Sequence, residues 1–247
     1  MIDDPLAPAA RRAAAWTFRG GIAYWEGKCE EARSAFREAE RADGRADEAA
    51  ACARVVKEAH TAALVGDVEW AGTHIERRLE TELPAHVVLN PATAEQLIEL
   101  SAHTGAAIGG DVMKDAFAIR PQLADAHERI AAGDTVRLRT VIKELPLHLF
   151  QRVLLSEHLD DLDETIELYE QTVRPSYTGW GNTPYRLRAL MRLGPLYEHV
   201  GDTAKAIEAY GVFGRRWALG DARCKSVAQR FTARARELAA EKVMSRN

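Results

Sequence analysis

The stretch AAWTFRGGIAYWEGKCEEARSAFREAE, residues 14–40, carries a spacing that returns in RLGPLYEHVGDTAKAIEAYGVF, residues 192–213. In the first, Gly20 lies seven residues before the turn glycine Gly27, with Ala32 five and Phe36 nine residues after it. Gly194, Gly201, Ala206 and Tyr210 keep the same intervals in the second. Apolar residues recur at three and four on both sides of each turn glycine, which is the helical period. Gly accepts the left-handed conformation that closes a helix, so the pattern describes two antiparallel helices joined by a tight turn. The small residues let those helices approach closely, and the large ring fills the space beyond them. One such hairpin cannot bury its apolar faces alone, so neighbours must stack.

Outward from these two copies, turn signals divide the chain at Gly27-Lys28, Gly66-Asp67, Gly110-Asp111, Gly133-Asp134, Asp160-Asp161 and Gly201-Asp202. In most of them Gly ends one helix and Asp caps the free amides of the next. Ala59, Ala71 and Ile75 repeat the packing positions around Gly66. Regular hairpins are expected near residues 13–42, 50–80 and 187–217, with degenerate hairpins over 92–173. In that middle part Leu138 stands where a small residue belongs, and Thr165 takes the small position before Tyr169. Residues 221–243 are amphipathic with no partner helix after them, the pattern of a capping helix. Strict alternation is lacking, and the nearest approach to a strand, residues 85–89, is short and ends at Asn90-Pro91. The expected fold class is all-α, built as one domain over 1–247.

With 247 residues, 47% of them hydrophobic, the chain can bury a substantial core. A formal charge of −4 supplies no basic field to gather nucleic acid or anionic lipid, so neither partner is expected. Cys29, Cys52 and Cys224 are too few and too scattered for a disulfide framework or a paired-thiolate metal site, and read as reduced thiols. The N-terminus lacks the pattern of a secretory leader, and no run is long enough to span a bilayer, so a cytoplasmic protein is expected.

Sequence patterns that approach catalytic or ligand-binding motifs each have a plainer structural explanation. The segment from Gly21 to Lys28 has five residues between its glycines where a phosphate loop needs four, and reads as a repeat turn. His60, His74, His86, His103, His127, His148, His158 and His199 include no pair at three- or four-residue spacing, so they read as surface or groove-lining groups. Asp160, Asp161, Asp163 and Glu164 begin a helix, where capping and the helix dipole explain the charge; a docking patch for a basic partner is the rival. Cys29, just after a turn, could ionise at a helix N-terminus, yet burial is the expectation. No cofactor, metal or catalytic residue is assigned. The loop over 174–185 concentrates Tyr177, Trp180 and Tyr185 among Gly and Pro, and serves either to anchor a partner or to fold over the adjacent hairpin.

The residues at both ends resemble the tetratricopeptide repeat (TPR), whose unit runs Trp, Leu-Gly, Tyr, a turn Gly, then Ala, an aromatic and Ala. Trp16, Gly20, Tyr24, Gly27, Ala32, Phe36 and Ala39 fit it, with Arg19 replacing Leu. Leu193, Gly194, Tyr197, Gly201, Ala206 and Tyr210 fit it again, with Phe213 replacing a small residue. Residues 165–243 also resemble the C-terminal repeat region of bacterial multidomain signalling proteins, in which repeats follow a kinase or transcription-regulator domain. The resemblance implies a right-handed α-solenoid whose first helices line a concave groove. It places Thr17, Gly21, Tyr24 and Trp25, then Val56, His60 and Leu64, then Arg188, Met191, Arg192, Glu198 and His199 along that groove. The function it implies is a non-enzymatic scaffold holding a protein or peptide segment. The alternative is a signal-sensing module of a kinase or transcription-regulator system, with a small-molecule ligand.

Overall fold

Helical periodicity over most of the sequence becomes helix in the structure, a computed structural model describing residues 7–43, 48–81, 89, 91–104, 110–144, 149–159, 161–174 and 183–244. Thirteen α-helices occur among these residues, and no strand. They are α1 (Ala9–Trp25), α2 (Cys29–Asp43), α3 (Glu48–Leu64), α4 (Val68–Thr81), α5 (Pro91–Thr104), α6 (Gly110–Ile119) and α7 (Pro121–Ala132). Then follow α8 (Thr135–Glu144), α9 (Leu149–Ser156), α10 (Leu162–Val173), α11 (Thr183–His199), α12 (Thr203–Arg216) and α13 (Ala222–Met244). The protein is all-α among its described residues, and α13 covers the stretch expected as a capping helix.

Four of the six turn signals close in one way. Gly27, Gly66, Gly133 and Gly201 all have positive φ. At each, the glycine N–H donates to the carbonyl three residues back and the next N–H donates to the carbonyl five residues back. That is the Schellman arrangement, which satisfies the last free carbonyls of a helix. Asp134, Asp161 and Asp202 then accept from the backbone N–H three residues on, capping α8, α10 and α12. Gly110-Asp111 differs, because Gly110 is the first residue of α6. Asp160 lies outside the described residues, as do residues 85–88 of the short apolar run.

The chain divides into two compact units, Met1–Phe18 with Ala35–Leu159, and Arg19–Ser34 with Asp160–Asn247. In the first, α3 packs on α4 and α5, α5 meets α6 and α7, and α8 meets α7 and α9. Ala59 and Ala71, the small residues read around Gly66, are fully buried together with Ile75. Leu138, too large for the expected small position, is buried with Ala126, Ile142 and Leu159, so this hairpin packs by large aliphatics.

In the second unit α11 packs between α10 and α12, and α12 packs on α13. Gly194 is needed there for room, since a Cβ would stand 2.6 Å from the ring of Tyr210. Phe213 is buried against Trp217 and Phe231, with ring centres 4.9 and 4.5 Å away. The indole of Trp217 donates to the Tyr24 carbonyl at 3.0 Å, and Gly27 lies under it, where a Cβ would stand 2.9 Å from Trp217 Cδ1.

One expectation from sequence is corrected in this unit. Cys29 and Cys224 were expected as separate reduced thiols, but they are joined in a disulfide across 195 residues, with Cα atoms 5.9 Å apart. Sequence distance concealed the pair because helix packing, not local spacing, brings the starts of α2 and α13 together. Cys52 is a free, buried thiol, its pKa pushed up to about 11 by burial.

Candidate functional site

Among the described residues, a concavity in the first unit is lined from α5, α7 and α9. On α7, Leu123, His127 and Ile130 stand at i, i+4 and i+7, so they share one face. From α9, Gln151, Leu154, Leu155 and, just past the helix end, His158 stand at i, i+3, i+4 and i+7 and share another. Ile98 and Glu99 of α5 complete the wall. The cavity between them is small, about 30 Å³ and partly open to solvent, below the range of drug-sized ligand pockets and suited to the tip of a side chain. Ile98, Leu123, Gln151 and Leu154 are buried, while His158 is exposed at the rim.

The acid of this pocket is held from behind. Glu99 Oε2 is 2.7 Å from Nε2 of His60, whose ring is buried on α3. The pair restrains the carboxylate in a lining that is mostly apolar. His127 packs its ring 5.7 Å from that of Phe117. The chemistry offered is thus a hydrophobic slot with a fixed carboxylate, a glutamine amide and two imidazoles around it.

A second polar group lies deeper in the same unit. Glu58 of α3 is 1% exposed; Thr17 Oγ1 donates to it at 3.3 Å. Nε2 of His74 stands 3.4 Å from its other oxygen, out of hydrogen-bond alignment, and Arg54 is 3.8 Å away. Trp70 stacks on His74 with ring centres 4.4 Å apart. Burial raises the Glu58 pKa against the opposing pull of His74, Arg54 and Thr17.

The groove residues implied by the TPR resemblance are distributed differently from one another. Thr17, Tyr24, Val56, His60 and Leu64 are buried; Thr17 and His60 are engaged with Glu58 and Glu99 as described. Trp25 is half-buried beneath Arg216, 3.8 Å from its ring centre, with Arg186 at 5.5 Å. Gly21, Arg188, Met191 and Arg192 are half-buried and His199 is exposed at the end of α11. Glu198 accepts from Tyr210 Oη at 2.8 Å and from Arg234 Nε at 3.0 Å, so α13 engages it. The phenol of Tyr210 has its pKa raised by burial and by that carboxylate. Tyr177 and Trp180 lie outside the described residues. Thus His60, through Glu99, is the residue of this group that meets the pocket.

Ile98, Leu123, Ile130, Leu154 and Leu155 drew no attention in the sequence beyond helical patterning, and His127 and His158 read as isolated histidines. The signal for them was the shared face within α7 and within α9. No helix among the described residues is long and apolar enough to cross a membrane. Comparison with known protein families, with curated proteins and with solved structures finds no match to this chain.

Proposed function

We propose that the chain is a non-enzymatic helical-repeat module of the TPR kind, a right-handed solenoid of hairpins that binds a protein or peptide segment. The α5–α7–α9 pocket takes one apolar side chain of that segment. The observation that carries this reading is the pocket: Ile98, Leu123, Ile130, Leu154 and Leu155 supply the apolar surface, and the His60-held Glu99 supplies an acceptor for a backbone or side-chain N–H. Paired apolar anchoring and polar orientation is how grooves between helices recognise peptides. The two matched spacings around Gly27 and Gly201 support the repeat reading.

The test is selection of peptides from a random display library, followed by titration calorimetry. Enriched peptides should share one aliphatic or aromatic position. Their affinity should fall at least about tenfold, 1.4 kcal/mol, in Leu154→Ala and Ile130→Ala while circular dichroism stays helical. Selection of no peptide, or affinity untouched in both variants, contradicts the proposal. The second reading, a small-molecule sensor, draws on the polar groups of Glu99, His127, Gln151 and His158 around the apolar lining; a metabolite that binds and protects Leu154 when no peptide does would establish that one.

A further inference from the structure

Cys29 opens α2, Cys224 lies in the first turn of α13, and Asp221 stands between them as the residue before α13. One ligand atom from each of the three falls within 4.8 Å of the others. Both cysteines are buried and Asp221 is half-buried. The carboxylate is pinned by backbone amides of two helices: Oδ2 accepts from Glu30 N at 2.6 Å and Oδ1 from Cys224 N at 3.1 Å. The Asp221 N–H itself donates to the Gly27 carbonyl at 3.1 Å. A Cβ at Gly220 would collide with that same carbonyl, so the loop is seated tightly on the first turn.

Two helix N-termini thus converge on two sulfurs and a carboxylate. Their positive dipole ends attract anionic groups. Carboxylates that hold metals are oriented by hydrogen bonds in this way. The geometry points to a redox-gated metal site: with the disulfide reduced, Cys29, Cys224 and Asp221 hold one thiophilic divalent ion of the zinc class, and oxidation closes the site. Two thiolates and one carboxylate form a borderline-soft set that suits Zn²⁺ or Co²⁺ and leaves the fourth tetrahedral position to water. Metal–sulfur bonds of about 2.3 Å put the sulfurs roughly 3.8 Å apart, a separation that side-chain rotation can reach.

The two states interconvert by balanced steps. A dithiol reductant transfers two electrons and two protons to the disulfide, leaving two cysteine thiols and the reductant's own disulfide. The divalent ion then displaces the two thiol protons, which leave to solvent, and binds both thiolates with the carboxylate. In reverse, a disulfide oxidant accepts the two electrons and takes two protons from solvent to become a dithiol, while the two thiolates rejoin as the Cys29–Cys224 disulfide and the ion is released to solvent.

The full chain, reduced, freed of reductant and kept under inert gas, is titrated with Co²⁺. Expected are one equivalent bound, a thiolate-to-cobalt charge-transfer band and the visible bands of tetrahedral Co²⁺, all displaced by Zn²⁺. The bands should persist in Cys52→Ser, vanish in Cys29→Ser and in the oxidised protein, and need at least about tenfold more Co²⁺ in Asp221→Asn. Circular dichroism accompanies each sample. Absence of the bands in reduced protein, whether it stays helical or unfolds without recovering on Co²⁺ addition, overturns the site. Equal bands in Cys29→Ser or in the oxidised protein overturn it as well.

Discussion

Glu58 shows how one buried side chain makes stability depend on pH. It is surrounded by Thr17, Arg54 and His74, yet burial prevails and its pKa is raised above the ordinary 4.5. The folded protein therefore holds the proton more tightly than the unfolded chain does. The contribution of Glu58 is complete below about pH 4.5, the unfolded value, and is lost as pH rises through the folded value. Glu58→Gln keeps the shape of the protonated acid and removes the titration. Urea unfolding should show wild type losing stability relative to Glu58→Gln as pH is raised from 4.5 toward neutrality, with the variant at least as stable at pH 7. Parallel pH profiles with Glu58→Gln less stable throughout would mean that the pairs with Arg54 and His74 outweigh burial.

Turns of identical backbone form carry different energetic weight because of what surrounds them. Gly27 and Gly201 have φ of 79° and 80°, so alanine at either meets the same left-handed penalty, about 1–2 kcal/mol. At Gly201 a Cβ has open space, whereas at Gly27 it runs into Trp217, which adds an overpacking cost of about 1–3 kcal/mol. Chemical denaturation should place Gly27→Ala below Gly201→Ala in stability by that added amount; equal losses would deny the Trp217 contact. Signals of this kind were legible in sequence because they are local: a glycine that ends a helix and an aspartate that caps the next are written within a few residues, as at Gly133-Asp134 and Gly201-Asp202. Burial of Ala59, Ala71 and Ala206 was legible for the same reason, through spacing from the turn. The pocket was not, since it needs faces from α5, α7 and α9 to meet, and only tertiary packing decides that. Gly110-Asp111 misled because the dipeptide that divides helices elsewhere here begins one.

Over the whole molecule, the disulfide is the longest-range constraint in the described residues, closing a loop between positions 195 apart. It ties Arg19–Ser34 to the C-terminal part of their shared unit, beside the Trp217–Tyr24 hydrogen bond and the Asp221 bridge. A crosslink across so long a loop restricts the unfolded chain strongly, so Cys29→Ser in oxidised protein should cost about 2–5 kcal/mol by denaturant unfolding. A loss below about 1 kcal/mol would mean that helix packing alone holds this segment. In the first unit, the pocket carries the functional proposal. Methyl-labelled NMR of the isoleucines and leucines, recorded while a selected peptide is added, tests it most directly. The predicted result is shifts concentrated at Ile98, Leu123, Ile130, Leu154 and Leu155, with Leu187 and Leu193 of the other unit unmoved. Binding that leaves those five methyl sets unchanged, or that shifts Leu187 and Leu193 instead, would contradict it.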